Sequence, residues 1–152
     1  MATRLLLVDD ERDFVEALSR RLVHRGYQVD CYLSGRDALA FLDGNGTDIV
    51  LLDVKMPGMD GLETLMRIKE KMPLVETIML TAHGEVATAV EAMRLGAWDY
   101  LMKPCDLEEL VAKIEGAAER KKERERKIFD VRTRPYISER EKEELIARIM
   151  AS

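Results

Sequence analysis

Five short apolar runs, Leu5 to Val8, Val29 to Leu33, Ile49 to Leu52, Thr77 to Leu80 and Trp98 to Met102, recur along the chain with helical patterns between them. Each run is of strand length and lacks the strict polar alternation of a sheet with one wet face. Between them Phe14, Val15, Leu18 and Leu22 recur at helical spacing, as do Leu62, Leu65 and Met66, then Val86, Val90 and Met93. Ser34-Gly35 opens a shorter helix toward Leu42. Asp106 and Glu109 form a capping-box pattern ahead of Leu107, Leu110, Val111, Ile114 and Ala118. Strands buried on both faces and alternating with helices predict an α/β fold: a doubly wound, five-stranded parallel sheet with right-handed crossovers. Turn-forming residues fall between the elements, at Gly26, Gly44 to Gly46, Pro57-Gly58, Pro73 and Gly96.

The 152 residues suffice for one such domain and a modest extension, with too few left for a second packed domain. Residues 1–118 are expected to form the domain, 119–137 a charged helical continuation and linker, and 138–152 a short C-terminal helix. The run Glu119 to Lys127 holds six basic and three acidic residues. Glu119 with Lys122 and Glu123 with Lys127 stand at supporting helical spacings, so a solvated helix is expected rather than a nucleic-acid patch. Phe129 to Ile137, with Pro135, reads as the linker. Ser138 and Glu141 then cap a helix whose Leu145, Ile146, Ile149 and Met150 lie on one face.

A net charge of −5 gives no reason to expect direct contact with nucleic acid or an anionic membrane. No apolar run has the length of a membrane span, and the N-terminus lacks the sections of a signal peptide, so a cytoplasmic address is expected. Cys31 and Cys105 are far apart and outside any CxxC spacing, which predicts reduced, packed thiols. The nine methionines are spaced as core positions, and His24 is expected at the surface.

The chemistry-bearing residues fall at the carboxyl ends of the predicted strands: Asp9 and Asp10 after the first, Asp53 after the third, Thr81 at the end of the fourth, Lys103 after the fifth. In an open α/β sheet those ends line one edge, and ligands bind where the strand order reverses; were the order 2-1-3-4-5, one of the two common in doubly wound sheets, the first and third strands would be neighbours there. Three carboxylates then converge. Like charges so close destabilise one another unless a cation lies among them, and an oxygen-only set beside a phosphate site suits Mg2+. Asp53, held between an apolar strand and the bend Met56-Pro57-Gly58, is the nucleophile candidate for phosphoryl transfer, which depends on positioning and charge neutralisation. Lys103 supplies a positive charge for phosphate oxygens and Thr81 a hydroxyl donor. The Lys103-Pro104 bond is a candidate cis peptide. One of Asp9 and Asp10 also suits the N-cap of the first helix.

Leu6-Leu-Val-Asp9-Asp10-Glu11, Leu51-Leu-Asp53-Val-Lys-Met-Pro57-Gly-Met-Asp-Gly61, Leu80-Thr81-Ala82 and Tyr100-Leu-Met-Lys103-Pro104 together resemble the motifs of response regulator receiver domains, the CheY-like superfamily with a flavodoxin-like fold. The resemblance covers Arg4 to about Ala118. The segment from Leu80 to Tyr100 is most similar to receivers of the nitrogen-regulator (NtrC) type, which usually precede an ATPase domain. The resemblance implies that Asp9, Asp10, Asp53 and the main-chain carbonyl of Lys55 bind magnesium, and that Asp53 accepts phosphate from a sensor histidine kinase or phosphotransfer protein. It implies Thr81 and Tyr100 as a switch pair acting on the face of the fourth helix, fifth strand and fifth helix. That face would meet a downstream output protein or a second copy, with the C-terminal tail as another dimerisation candidate.

Cys105 stands where family members commonly have phenylalanine, and Lys55 and His83 occupy positions that tune the acyl phosphate lifetime. The expected function is therefore a phosphoacceptor switch in a two-component phosphorelay, acting through a partner as a stand-alone receiver, with a fragment of a larger NtrC-type regulator as the alternative. An aspartyl-phosphate hydrolase would want a second acid two residues after its nucleophile, where Lys55 stands, so no enzyme is expected beyond self-catalysed phosphorylation and dephosphorylation.

Overall fold

The computed structural model describes residues 2–82 and 84–152. Strands β1 (Arg4–Val8), β2 (Gln28–Tyr32), β3 (Ile49–Asp53), β4 (Glu76–Thr81) and β5 (Asp99–Met102) form one parallel sheet in the order β2-β1-β3-β4-β5. Helices α1 (Arg12–His24), α2 (Gly35–Leu42), α3 (Gly61–Lys71) and α4 (Val86–Arg94) make the four crossovers, and α5 (Leu107–Arg132) and α6 (Glu139–Ala151) follow the last strand. The doubly wound fold expected from the alternating runs is the fold observed.

Side-chain alternation along each strand splits the core in two. Leu5, Leu7, Ile49, Leu51, Ile78 and Leu80 face α1 and α5, meeting Leu18, Leu22, Leu110 and Ile114. Leu6, Val8, Val50, Leu52 and Met79 face α2, α3 and α4, meeting Leu42, Leu65, Ile68, Ala89 and Ala92. Residues of β3 and β4 are buried throughout, whereas the edge strands β2 and β5 are largely half-exposed. Each fully buried leucine contributes about 1.5–3 kcal/mol relative to an exposed one.

Caps fix where helices begin. Ser34, Asp60, Asp106 and Ser138 accept bonds from the backbone N–H groups of Asp37, Glu63, Glu109 and Glu141. The N-cap of α1 is instead Glu11, whose side chain makes no capping bond. Asp9 accepts the Glu11 N–H, at 3.0 Å, and Asp10 stays exposed. The N-cap expected of Asp9-Asp10 is thus absent, because the helix starts one turn position later, and Asp10 is left for other work.

Three other expectations are corrected. The core face of α4 is Ala89 and Ala92; Val86, Val90 and Met93 point outward at 37–42% exposure. Small residues let α4 lie close on the sheet, which turns the larger apolar side chains to solvent. The methionines likewise divide, with Met56 and Met79 buried but Met66, Met93 and Met102 exposed.

The second correction concerns the linker. Helix α5 continues through Arg132, so Phe129 to Arg132 are helical and the connection shrinks to residues 133–138. No breaker intervenes before Pro135, and Val131 is buried at 3% exposure. Within that connection Tyr136 has φ 66° and a fully exposed side chain. A left-handed conformation costs such a residue roughly 1–2 kcal/mol.

The third is the charged run, which is not simply solvated. The Glu123–Lys127 pair forms, but Lys121 reaches Asp48 at 3.2 Å and Glu125 at 3.0 Å, and Arg124, 8% exposed, lies 3.4 Å from Glu76. Glu76 is itself buried at the amino edge of β4, and burial pushes its pKa up against the pull of Lys69 and Arg120. A buried carboxylate needs a partner, and α5 supplies it.

Candidate functional site

The parallel sheet brings the carboxyl ends of β1, β3, β4 and β5 to one edge, and the residues singled out in the sequence meet there. Carboxylate oxygens of Asp9, Asp10 and Asp53 lie within 4.8 Å of one another. Asp9 and Asp53 are buried and Asp10 is exposed, so the cluster has a protected floor and an open side. Asp10, Glu11, Asp53, Lys55, Met56, Pro57, Ala82, Glu85 and Lys103 line the cleft above it.

Lys103 enters this cluster from the loop after β5. Its Nζ is 2.6 Å from Asp9 Oδ2, 3.1 Å from Glu11 Oε1 and 3.5 Å from Asp53 Oδ1, and 4.6 Å from the centre of the Phe14 ring. Burial disfavours the ammonium charge, but the bond and charge of Asp9, then the charge of Asp53, outweigh it and hold the lysine pKa above its ordinary value. The Lys103–Pro104 peptide is cis.

One cation does not settle three acids. Burial, then the charge of Asp9, raises the Asp53 pKa to about 7 against the opposing pull of Lys103. Burial likewise raises that of Asp9, offset mainly by Lys103. Asp9 Oδ2 is buried, and its one close polar contact is the ion pair with Lys103 Nζ at 2.6 Å. A buried carboxylate oxygen with a single cationic contact, inside a cluster of three acids, fits a hard divalent cation.

Gly61 lets α3 come this close. A Cβ there would lie 2.6 Å from the Val54 carbonyl oxygen and 2.8 Å from Val54 Cα, and would overlap the carbonyl oxygen of Asp53 itself. Gly58, at φ 77°, makes the bend that follows Met56 and Pro57.

The response regulator receiver domain family matches residues 5–115. The chain belongs to that family. As a receiver it is 40% identical to the DNA-binding transcriptional regulator NtrC of Salmonella typhimurium over 111 residues, which is 73% of this chain and 24% of that protein. A receiver domain structure from Clostridium thermocellum superposes with TM-score 0.76 at 34% identity, covering 79% of this chain and 97% of that one. The NtrX structure from Brucella abortus in complex with ADP superposes with TM-score 0.80 at 32% identity, covering 90% of this chain and 31% of that one. A 90% match runs past the receiver's own residues 5–115, so it continues into the segment that contains the α5 extension. This receiver spans 23–50% of the length of the curated relatives it matches. Among the described residues, no helix is long and apolar enough to cross a membrane.

Thr81 is buried at the end of β4, 0% exposed, and its hydroxyl donates to the Ala82 carbonyl at 3.2 Å. Tyr100 on β5 is half-buried against the core beneath α4. Lys55 is exposed at the rim, and His83 lies outside the described residues. Cys105 is half-buried beside the α1–α5 core, and burial raises its pKa to about 11, so it packs as a small apolar group. Sequence reasoning missed Glu11, Phe14 and Glu85. Glu11 was signalled by its place directly after the acidic pair; Phe14 was read only as a core residue, and Glu85 carried no pattern at all.

Proposed function

We propose that this receiver is a phosphoacceptor switch of a two-component phosphorelay in which Asp53 takes the phosphoryl group. The observation that carries this reading is the meeting of Asp9, Asp10 and Asp53 with Lys103 at one open cleft. An Asp53 carboxylate oxygen forms the new O–P bond as the P–N bond to a donor histidine breaks, the electron pair leaving with the imidazole. Lys103 meets the added oxygens with its charge and the Thr81 hydroxyl turns from the Ala82 carbonyl to donate to them. Asp9, Asp10, Asp53 and the main-chain carbonyl of Lys55 would hold Mg2+, which supplies the positive charge that offsets the crowded anions.

The exposed stripe Val86, Val90 and Met93 on α4, with Met102 at 38% on β5, supports an output surface for a downstream protein or a second copy. Thr81 and Tyr100, at the ends of that path, are the proposed switch pair. Phosphate need only bind one of two pre-existing arrangements better than the other. The kinase, or a phosphotransfer protein, and the output protein are the proposed partners. A second reading, a receiver acting within a longer NtrC-type regulator, is favoured by relatives of greater length and by the match that continues past the receiver in NtrX.

The test is incubation with Mg2+ and acetyl phosphate, read by intact mass. One added phosphoryl group on the parent and none on Asp53→Ala is the expected result. Label retained by Asp53→Ala would falsify the acceptor assignment.

A further inference from the structure

The geometry points to an exchange of α6 between two copies of this chain, each seating its C-terminal helix on the other's α5. The two helices run antiparallel. Lys142 near the start of α6 donates to the Arg132 carbonyl at the end of α5, while Arg124 donates to the carbonyls of Met150, at 3.3 Å, and Ser152, at 2.9 Å. Arg120 adds a third bond to Ser152, at 3.1 Å. Between these ends Val131, Leu145 and Ile149 line one cleft. The seat on α5 is therefore matched in charge and shape to this helix, and every one of its contacts is equally available to the α6 of another copy.

Two features favour exchange over permanent closure in one chain. No residue of α6 is fully buried, and the hydrogen bonds that hold it run to α5. The connection, residues 133–138, forces Tyr136 to φ 66° with its side chain fully exposed and nothing packed on it to compensate. An opened connection lets Tyr136 relax, and the same helix pair reforms between chains; such strained hinges invite swapping. The exchange needs no phosphate, so it stands apart from the role proposed for Asp53.

The test uses full chains carrying Cys31→Ser and Cys105→Ser. One bears Val131→Cys and the other Leu145→Cys; they are mixed, oxidised and run on a non-reducing gel. A covalent dimer joining the two chain types is the expected result, because the two cysteines are on different chains and share a cleft only if α6 of one copy lies on α5 of the other. A chain with both substitutions serves as the control: its internal bridge without any mixed product overturns exchange, and no bridge in either overturns the packing itself. Light scattering supplies a second readout. Tyr136→Gly should weaken the dimer by about tenfold per relieved hinge, whereas deleting Pro135 and Tyr136 should strengthen it. A monomer at every concentration for the parent and the deletion alike also overturns the proposal.

Discussion

At the scale of single residues, the site is set by burial working against charge. Asp53 is pushed up to about 7 by desolvation and then by Asp9. A carboxyl whose folded pKa lies above its unfolded value makes the native state the tighter proton binder between those two values. Its contribution to stability is full near pH 4 and is lost as pH rises through 7. In chelator, urea unfolding should show stability falling by a few kcal/mol between pH 5 and 8, and Asp53→Asn should flatten that slope. Added Mg2+ should restore the loss at pH 8, and a parent profile that rises with pH in chelator would contradict this electrostatic account. A neighbouring residue is constrained by space instead. In Gly61→Ala the methyl would meet the Asp53 and Val54 carbonyls, so α3 must shift where the acceptor is held. A loss of roughly 1–3 kcal/mol and slower labelling by acetyl phosphate are expected; unchanged labelling would separate the α3 approach from acceptor placement. The meeting of Asp9, Asp10, Asp53 and Lys103 at one edge was legible in the sequence because strand ends can be located from apolar runs. The partners of Lys103 were less so, since Glu11, 92 residues away in the chain, and Phe14 meet it only through the tertiary fold.

At the scale of elements, the strands and the caps at Ser34, Asp106 and Ser138 followed from local pattern, while the faces of α4 and α5 did not. Val86, Val90 and Met93 have the spacing of a core stripe, yet alanines take the inner face, because how closely a helix approaches its sheet is decided by the small residues and not by the large ones. The charged run on α5 shows the reverse case. Its composition suggests a wet helix, but Glu76, buried at 1% exposure, draws Arg124 beneath the sheet. Removing one member of a buried pair strands the other, so Arg124→Ala is expected to cost about 3–5 kcal/mol in chemical denaturation and to loosen α6, which loses two of its terminal bonds. Arg124→Met with Glu76→Leu should recover most of that loss, because two apolar side chains leave no stranded charge. A single Arg124→Ala variant as stable as the parent would show that Glu76 finds another partner, with Arg120, 4.0 Å away, as the nearest candidate.

At the scale of the whole molecule, β4 joins two charged centres of opposite design. Thr81 ends it at the acidic cleft and Glu76 begins it above the α5–α6 hairpin. Five residue steps along a strand place them about 16 Å apart, with the uncharged buried residues Thr77 to Leu80 between and no shared charged partner. Substitutions at that separation normally add to within about 0.5 kcal/mol. The combination of Asp53→Asn with Arg124→Ala is therefore expected to change unfolding free energy by the sum of the two single effects, in chelator and in Mg2+ alike. The sole tryptophan provides a local probe, because Trp98 stacks under Arg120 at 5.1 Å and Arg120 also holds the end of α6. Its fluorescence should respond to Arg124→Ala and stay unmoved by Asp53→Asn. If the effects instead add only when Mg2+ is absent, the strand carries a coupling between acceptor and hairpin, and the occupied site would then bias where α6 sits, in its own chain or in a second copy.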